Sequence, residues 1–235
     1  MIKEALKYLV ELGNTRLEEA NGQQYSTQEL HLVEEARAST ITVHSLSGLV
    51  DYLGSMFDGS DQRLIHVVSP TEVNVYSHFN RDMERDTFVQ AKAMLPQFRF
   101  GSWHDAEEFN IALQSMFVAN GDRDKMLQVV GNIKDENVAM FGDDGVSQQV
   151  TAKTGIATVA SVKVPNPVYL RPFRTFVEID QPESAFVFRM KSGPTCALFD
   201  ADGGAWKNDA IQTVRKYLEE ALRDQINTKH IVLIA

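Results

Sequence analysis

Apolar positions along this chain recur with two periods, and the period changes near the middle. In the first part, Ile2, Leu6, Leu9 and Val10 fall on one side of a helix that Gly13-Asn14 ends. The stretch that follows, to about Tyr25, is polar and reads as loop. Leu30, Leu32 and Thr40-Ile41-Thr42-Val43 predict short strands. Ser45 has the character of an N-cap, and Leu46, Leu49, Val50, Leu53 and Phe57 recur behind it at helical spacing. Residues 64–68 form a buried-type apolar run. Ser69-Pro70-Thr71-Glu72 supplies a turn, and residues 73–77 alternate, so a hairpin is predicted. Residues 88–95 fit a strand or a short helix, and Pro96 ends either one. Ser102 is placed to cap a helix over residues 104–118 that turns Phe109, Leu113, Met116 and Phe117 to the core; another helix spans residues 122–130.

From Val146 onward the period is closer to two. Alternating runs fill residues 146–164, with turn signals at Asp143-Asp144-Gly145 and Thr154-Gly155. Val164-Pro165-Asn166-Pro167 leaves any central ladder, because proline donates no hydrogen bond. Strands are predicted over residues 173–179, 185–190 and 195–199. Asp202-Gly203-Gly204 then turns the chain into a helix over residues 209–226, and residues 230–234 close as a strand. The reading is an α+β fold with a mixed helical and strand N-terminal half and a β-rich C-terminal half closing with a helix and a strand. The change of pattern marks regions 1–141 and 142–235, taken together as one compact unit.

Composition narrows the class. Hydrophobic residues at 43% and charged residues at 23% are globular usage, which argues against disorder. The balance of 23 basic against 32 acidic residues gives a net charge of −9. That disfavours direct nucleic-acid binding and attachment to an anionic membrane. No apolar run is long enough to span a bilayer, and residues 1–7 read as a helix start rather than a signal peptide. The bacterial cytoplasm is the expected location. One cysteine, Cys196, in a short apolar run reads as a buried hydrophobe.

Several clusters carry candidate chemistry. His104 and Glu108, four apart on one helix face, are candidate metal ligands or an acid–base pair. Asp143 and Asp144 could join them in a metal-assisted hydrolase. The preferred reading is a helix start and a tight turn, since no second histidine flanks the glutamate and no calcium-loop spacing follows the aspartates. Neither a metal nor a cofactor is expected. Arg171, Arg174 and Arg189 fall among Tyr169 and Phe173, an arginine–aromatic concentration that could stack a base and pair a phosphate. The competing reading is strand-surface arginine packed on rings. Ile231, Val232, Leu233 and Ile234 are very apolar and read as an inner strand or a self-association surface.

The order of motifs also resembles a family. Ser45-Leu46-Ser47-Gly48-Leu49 after a strand, Glu107-Glu108-Phe109 in a helix, Asp144-Gly145-Val146-Ser147-Gln148, Val164-Pro165-Asn166-Pro167 and the closing helix–strand are similar to the YfdQ-like family of phage and prophage proteins, over most of the chain after residue 28. The resemblance implies a phage accessory protein of unassigned activity, and it carries no catalytic residues. The expectation is a homo-oligomeric or host-protein-binding accessory protein without catalysis. The alternatives are a nucleotide or small-metabolite binder, and a metal-assisted hydrolase.

Overall fold

The computed structural model describes residues 2–20, 23–26, 37–59, 61–80, 83–131, 140–143, 148–154, 158–163, 166–191, 193 and 195–235. The strands expected at Leu30 and Leu32, the Asp144-Gly145 turn and the Val164-Pro165 step lie outside them. The fold is α+β. Its contacts divide the chain into units Met1–Ala38 and Ser39–Ala235.

In the first unit, helix α1 (Ile2–Leu12) is followed by an antiparallel hairpin, β1 (Leu17–Ala20) with β2 (Gln23–Ser26). The polar stretch before Tyr25 is therefore paired strand and not loop. Backbone pairing needs no apolar pattern, so these strands left no apolar signal. The apolar face of α1 exists as expected, yet none of its residues is buried.

The second unit holds two cores, each drawing on residues from either side of position 141. Five strands form a mixed sheet in the order β14-β4-β5-β6-β3: β14 (Ile231–Ile234), β4 (Arg63–Ser69), β5 (Glu72–Phe79), β6 (Arg85–Lys92) and β3 (Ile41–Val43). Strands β4 and β5 make the predicted hairpin around Pro70-Thr71, and β6 decides residues 88–92 as strand. One sheet face sends Ile65, Val67, Val73, Val75 and Val89 against Leu46 and Leu49 of α2 (Leu46–Ser55) and Val214 and Leu218 of α5 (Ala205–Ala221). Phe57 was expected on the α2 face. It lies past the helix end, 85% exposed.

The second core lies under a four-stranded antiparallel sheet, β11-β12-β13-β7: β11 (Val168–Leu170), β12 (Ser184–Lys191), β13 (Thr195–Asp200) and β7 (His104–Asp105). Phe186, Phe188, Met190 and Leu198 pack there against Phe109 and Leu113 of α3 (Ala106–Met116) and Met126 of α4 (Gly121–Gly131). A three-stranded antiparallel sheet joins β8 (Met140–Asp143), β9 (Gln148–Thr154) and β10 (Thr158–Lys163) in the order β10-β9-β8. A short helix, α6 (Arg223–Asn227), leads from α5 to β14. No described helix is long and apolar enough to cross a membrane.

Two helix starts differ from expectation for a local reason. His104 and Asp105 are held extended by pairing with Cys196 and Thr195, so α3 cannot begin before Ala106. Asp105, not Ser102, is its cap, accepting from the Glu108 amide at 2.8 Å. Helix α5 begins four residues early because Asp202 accepts from the amides of Gly204 (2.9 Å) and Trp206 (3.4 Å). Gly203 and Gly204 take φ of 65° and 85°, which admits the tight entry.

Helix α2 is capped from a distance. Ser45 Oγ accepts from the Gly48 amide at 3.0 Å, as its sequence position promised. The amides of Leu46 and Ser47 donate to the Glu178 carboxylate at 2.9 and 2.8 Å. A negative charge thus sits at the positive end of the helix dipole. Glu178→Ala is expected to lower stability by about 1–2 kcal/mol, and Glu178→Gln by about half as much, because the amide oxygen keeps an acceptor without the charge. Urea unfolding midpoints measure both. Equal losses would mean that the charge is irrelevant.

Candidate functional site

The arginine–aromatic segment was expected to be a strand over residues 173–179. It is irregular and largely buried, and one side chain replaces the ladder it lacks. Gln181 Oε1 accepts from the amides of Arg174 (2.9 Å) and Thr175 (3.2 Å). Gln181 Nε2 donates to the carbonyls of Phe176 (3.0 Å) and Ile179 (3.2 Å). Buried backbone groups need partners, and here a glutamine supplies them without a neighbouring strand. The loop so fixed drops Phe176 into the core of the five-stranded sheet and turns Arg174 inward beside the other core.

Arg174 is only 8% exposed. Its Nη1 donates to Asp200 at 3.1 Å, and its Nη2 donates to Ser184 Oγ. The guanidinium lies 4.0 Å from the Trp206 ring centroid, with Phe186 and Phe100 at 5.3 and 5.7 Å. Burial pushes the arginine below its ordinary value, while the charges of Asp200 and Asp202 push it back up. Burial raises Asp202, but bonds from Gly204, Ser184 and Trp206 and the charge of Arg174 together hold it below the usual carboxylate value. The arginine therefore ties the irregular segment to β12, β13 and the start of α5.

The other members of that sequence cluster are spread out. Arg171 Nε donates to the Gln181 carbonyl at 3.0 Å, and its guanidinium sits 3.8 Å from Asp180. Tyr169 is half exposed; its amide donates to Asp122 and its carbonyl accepts from Asn120, docking β11 on the start of α4. Arg189 is half-buried on β12, on the face away from Phe186 and Phe188. Only Phe173 and Arg174 meet at one opening, a cleft of about 400 Å3 walled also by Phe98, Arg99, Phe100 and Met116. Sequence reasoning did not connect Gln181, Ser184, Asp200 or Trp206 to the arginine cluster: the first two lie between Arg174 and Arg189, the others beyond it, and no spacing marks them as its partners. The 95–100 loop was missed as well, although its Phe98-Arg99-Phe100 triplet is a visible signal.

His104 Nδ1 lies 3.9 Å from Glu108 Oε2, and its Nε2 is 3.1 Å from the Arg99 carbonyl. The imidazole also stacks on Phe98 at 4.9 Å. Among the described residues no third His, Cys, Asp or Glu completes a metal-binding group with them. Asp143 ends β8 opposite Gln148, and Asp144 lies outside the described residues. Cys196 is fully buried; burial, with Asp105 nearby, pushes its thiol up to about 12, so it packs as an apolar side chain.

The terminal strand, read as an inner strand or a self-association surface, lies at the edge of its sheet among the described residues. β14 pairs in parallel with β4 on one side, and among the described residues no strand pairs its other side. Ile231 is buried and Leu233 packs on the core, whereas Val232 and Ile234 are each 43% exposed on the outer sheet face. Register places them in rows with Leu64 and Tyr76, and with His66, Asn74 and Gln90. In that row Glu72 Oε1 accepts from Asn74 Nδ2 (3.1 Å) and Gln90 Nε2 (2.7 Å), a polar network the alternation of β5 did not announce. Comparison of the whole chain with protein-family models, with curated proteins and with solved structures gives no match, so the assignment of a role rests on this geometry and on the sequence.

Proposed function

We propose that this is a phage or prophage accessory protein that acts by binding and by homo-oligomeric assembly, not by catalysis. The phage context follows from the family resemblance. The observation that carries assembly is the edge strand β14. Unpaired edges are usually guarded by lysine, proline or a bulge. Ile-Val-Leu-Ile has none of these, and among the described residues it presents Val232 and Ile234 beside an open row of backbone donors and acceptors. The opposite edge, β3, is three residues long and contains a threonine. The simplest occupant of the β14 edge is the same strand of a second copy, related by a twofold axis, which joins two five-stranded sheets.

Light scattering after size exclusion is expected to give twice the chain mass, and Val232→Lys to return the monomer with its fold intact, since that side chain is already half exposed. Leu233→Ala faces the core, so it is expected to weaken folding by about 2 kcal/mol while leaving the assembly state unchanged. A wild-type chain that stays monomeric at high micromolar concentration would defeat the proposal.

A further inference from the structure

The cleft beside Arg174 has features of a small-molecule site that are independent of the β14 edge. Its volume, about 400 Å3, falls within the range of ligand pockets, roughly 300–1,000 Å3. Its walls are Phe98, Phe100, Met116 and Phe173, and the rings are held in place from behind. Phe98 sits edge-on to Phe100 at 4.9 Å and to Phe117 at 5.3 Å, and Phe100 stacks on Phe186 at 5.2 Å. Flat apolar walls of this kind favour a planar ring over a flexible chain.

Charge distinguishes the cleft from a packing defect. Arg174 lines it and is more than nine-tenths buried, held in place by Asp200 and Ser184. Arg99 stands at the same cleft with an exposed side chain, and no acidic partner lies within ion-pair distance of it among the described residues. The charge of Arg174 is already matched by Asp200 and Asp202. Arg99 is thus the group free to neutralise a bound anion, in a chain whose net charge of −9 otherwise repels anions.

The geometry points to this cleft as a binding site for a small aromatic carboxylate, with the ring between Phe98, Phe100 and Phe173 and the charge balanced by Arg99. A nucleoside phosphate fits less well, because one free guanidinium leaves most of a phosphate's charge unmatched.

The test uses 2-naphthoate and its neutral analogue 2-naphthamide as probes. Trp206 stacks on Arg174, so in a Trp103→Phe background it is the sole tryptophan and reports on the site. Saturable quenching of Trp206 by 2-naphthoate is expected. Arg99→Glu should weaken 2-naphthoate about tenfold or more and leave 2-naphthamide within about twofold. Arg99 is exposed, so the variant should melt at the wild-type temperature; Arg99→Lys should retain most of the binding. Absence of saturable quenching by 2-naphthoate, or equal affinity in wild type and Arg99→Glu, would overturn the assignment.

Discussion

Replacing Arg174 with alanine is expected to destabilise the Ser39–Ala235 unit by about 3 kcal/mol, near the lower end of the range for breaking a buried ion pair. The lower end applies because the stranded partner, Asp200, is 44% exposed and can be rehydrated. Three losses add up: the bond to Ser184, the ion pair with Asp200, and the stacking on Trp206. Arg174→Lys keeps the charge but not the planar fork, and should recover less than half of the loss. Asp200→Asn should cost about 1–2 kcal/mol, because the buried guanidinium loses one of its two facing charges while the amide oxygen still accepts from Nη1. Urea unfolding followed by circular dichroism and by Trp206 emission measures all three. If Arg174→Ala and Asp200→Asn fall together, the ion pair carries the energy and the stacking carries none.

The same centre has an acid-side signature. Asp202 has a folded value depressed below the ordinary 3.8. Its contribution is therefore fully present above that ordinary value and is lost as pH falls through the folded one. Arg174 is one of the causes of the depression, so the acid-induced loss of stability below the ordinary 3.8 should be shallower in Arg174→Ala. An unchanged acid limb would mean that the bonds from Gly204, Ser184 and Trp206 hold Asp202 without the arginine's charge.

Local chemistry was legible in this sequence, and long-range partners were not. Ser45 before an apolar helical stripe is a complete signal, and the structure puts its hydroxyl on the Gly48 amide. Glu178, which accepts from the next two amides, lies more than a hundred residues away and leaves no local trace. The hairpin around Pro70-Thr71 follows from alternation and turn residues. The parallel pairing of β14 with β4 does not, so an apolar tail could be read as an inner strand when, among the described residues, it is an edge. Residues 173–179 show why β propensity misleads: Phe173, Thr175 and Phe176 report burial, and burial here comes with Gln181 as the hydrogen-bond partner instead of a strand.

The candidate sites follow the same rule. The sequence placed Arg171, Arg174 and Arg189 together because they are near in number. The fold separates them: one is half-buried on β12, one reaches the 180–181 loop, and one turns inward. What surrounds Arg174 comes from four segments, the 95–100 loop, β12, β13 and the start of α5, and no single stretch of sequence contains that set. His104 and Glu108 were paired by helical spacing, and they do approach each other. Yet His104 lies in β7, before the helix begins, so only part of the reasoning that paired them applies.

The other large loss is expected from Phe109→Ala. The ring is fully buried on α3, stacked on Phe188 at 5.5 Å and edge-on to Phe98 at 6.1 Å. Removing it deletes the contact between helix and sheet at the centre of this core, where collapse is limited by a strand on one side and two helices on the other. The cost should be about 3–5 kcal/mol, against about 1–1.5 for Phe109→Leu, which refills most of the volume. Phe188→Ala alone should cost a similar amount. The double variant should cost less than the sum, because the two rings lose the same contact. Calorimetric melting of the four proteins measures the shortfall, and strict additivity would mean that the stacked pair contributes nothing beyond the burial of each ring. Phe98 leans on Phe109 and also walls the cleft, so Phe109→Leu, which folds, is expected to loosen that wall and weaken 2-naphthoate binding severalfold. Core packing and ligand affinity would then be coupled through one ring.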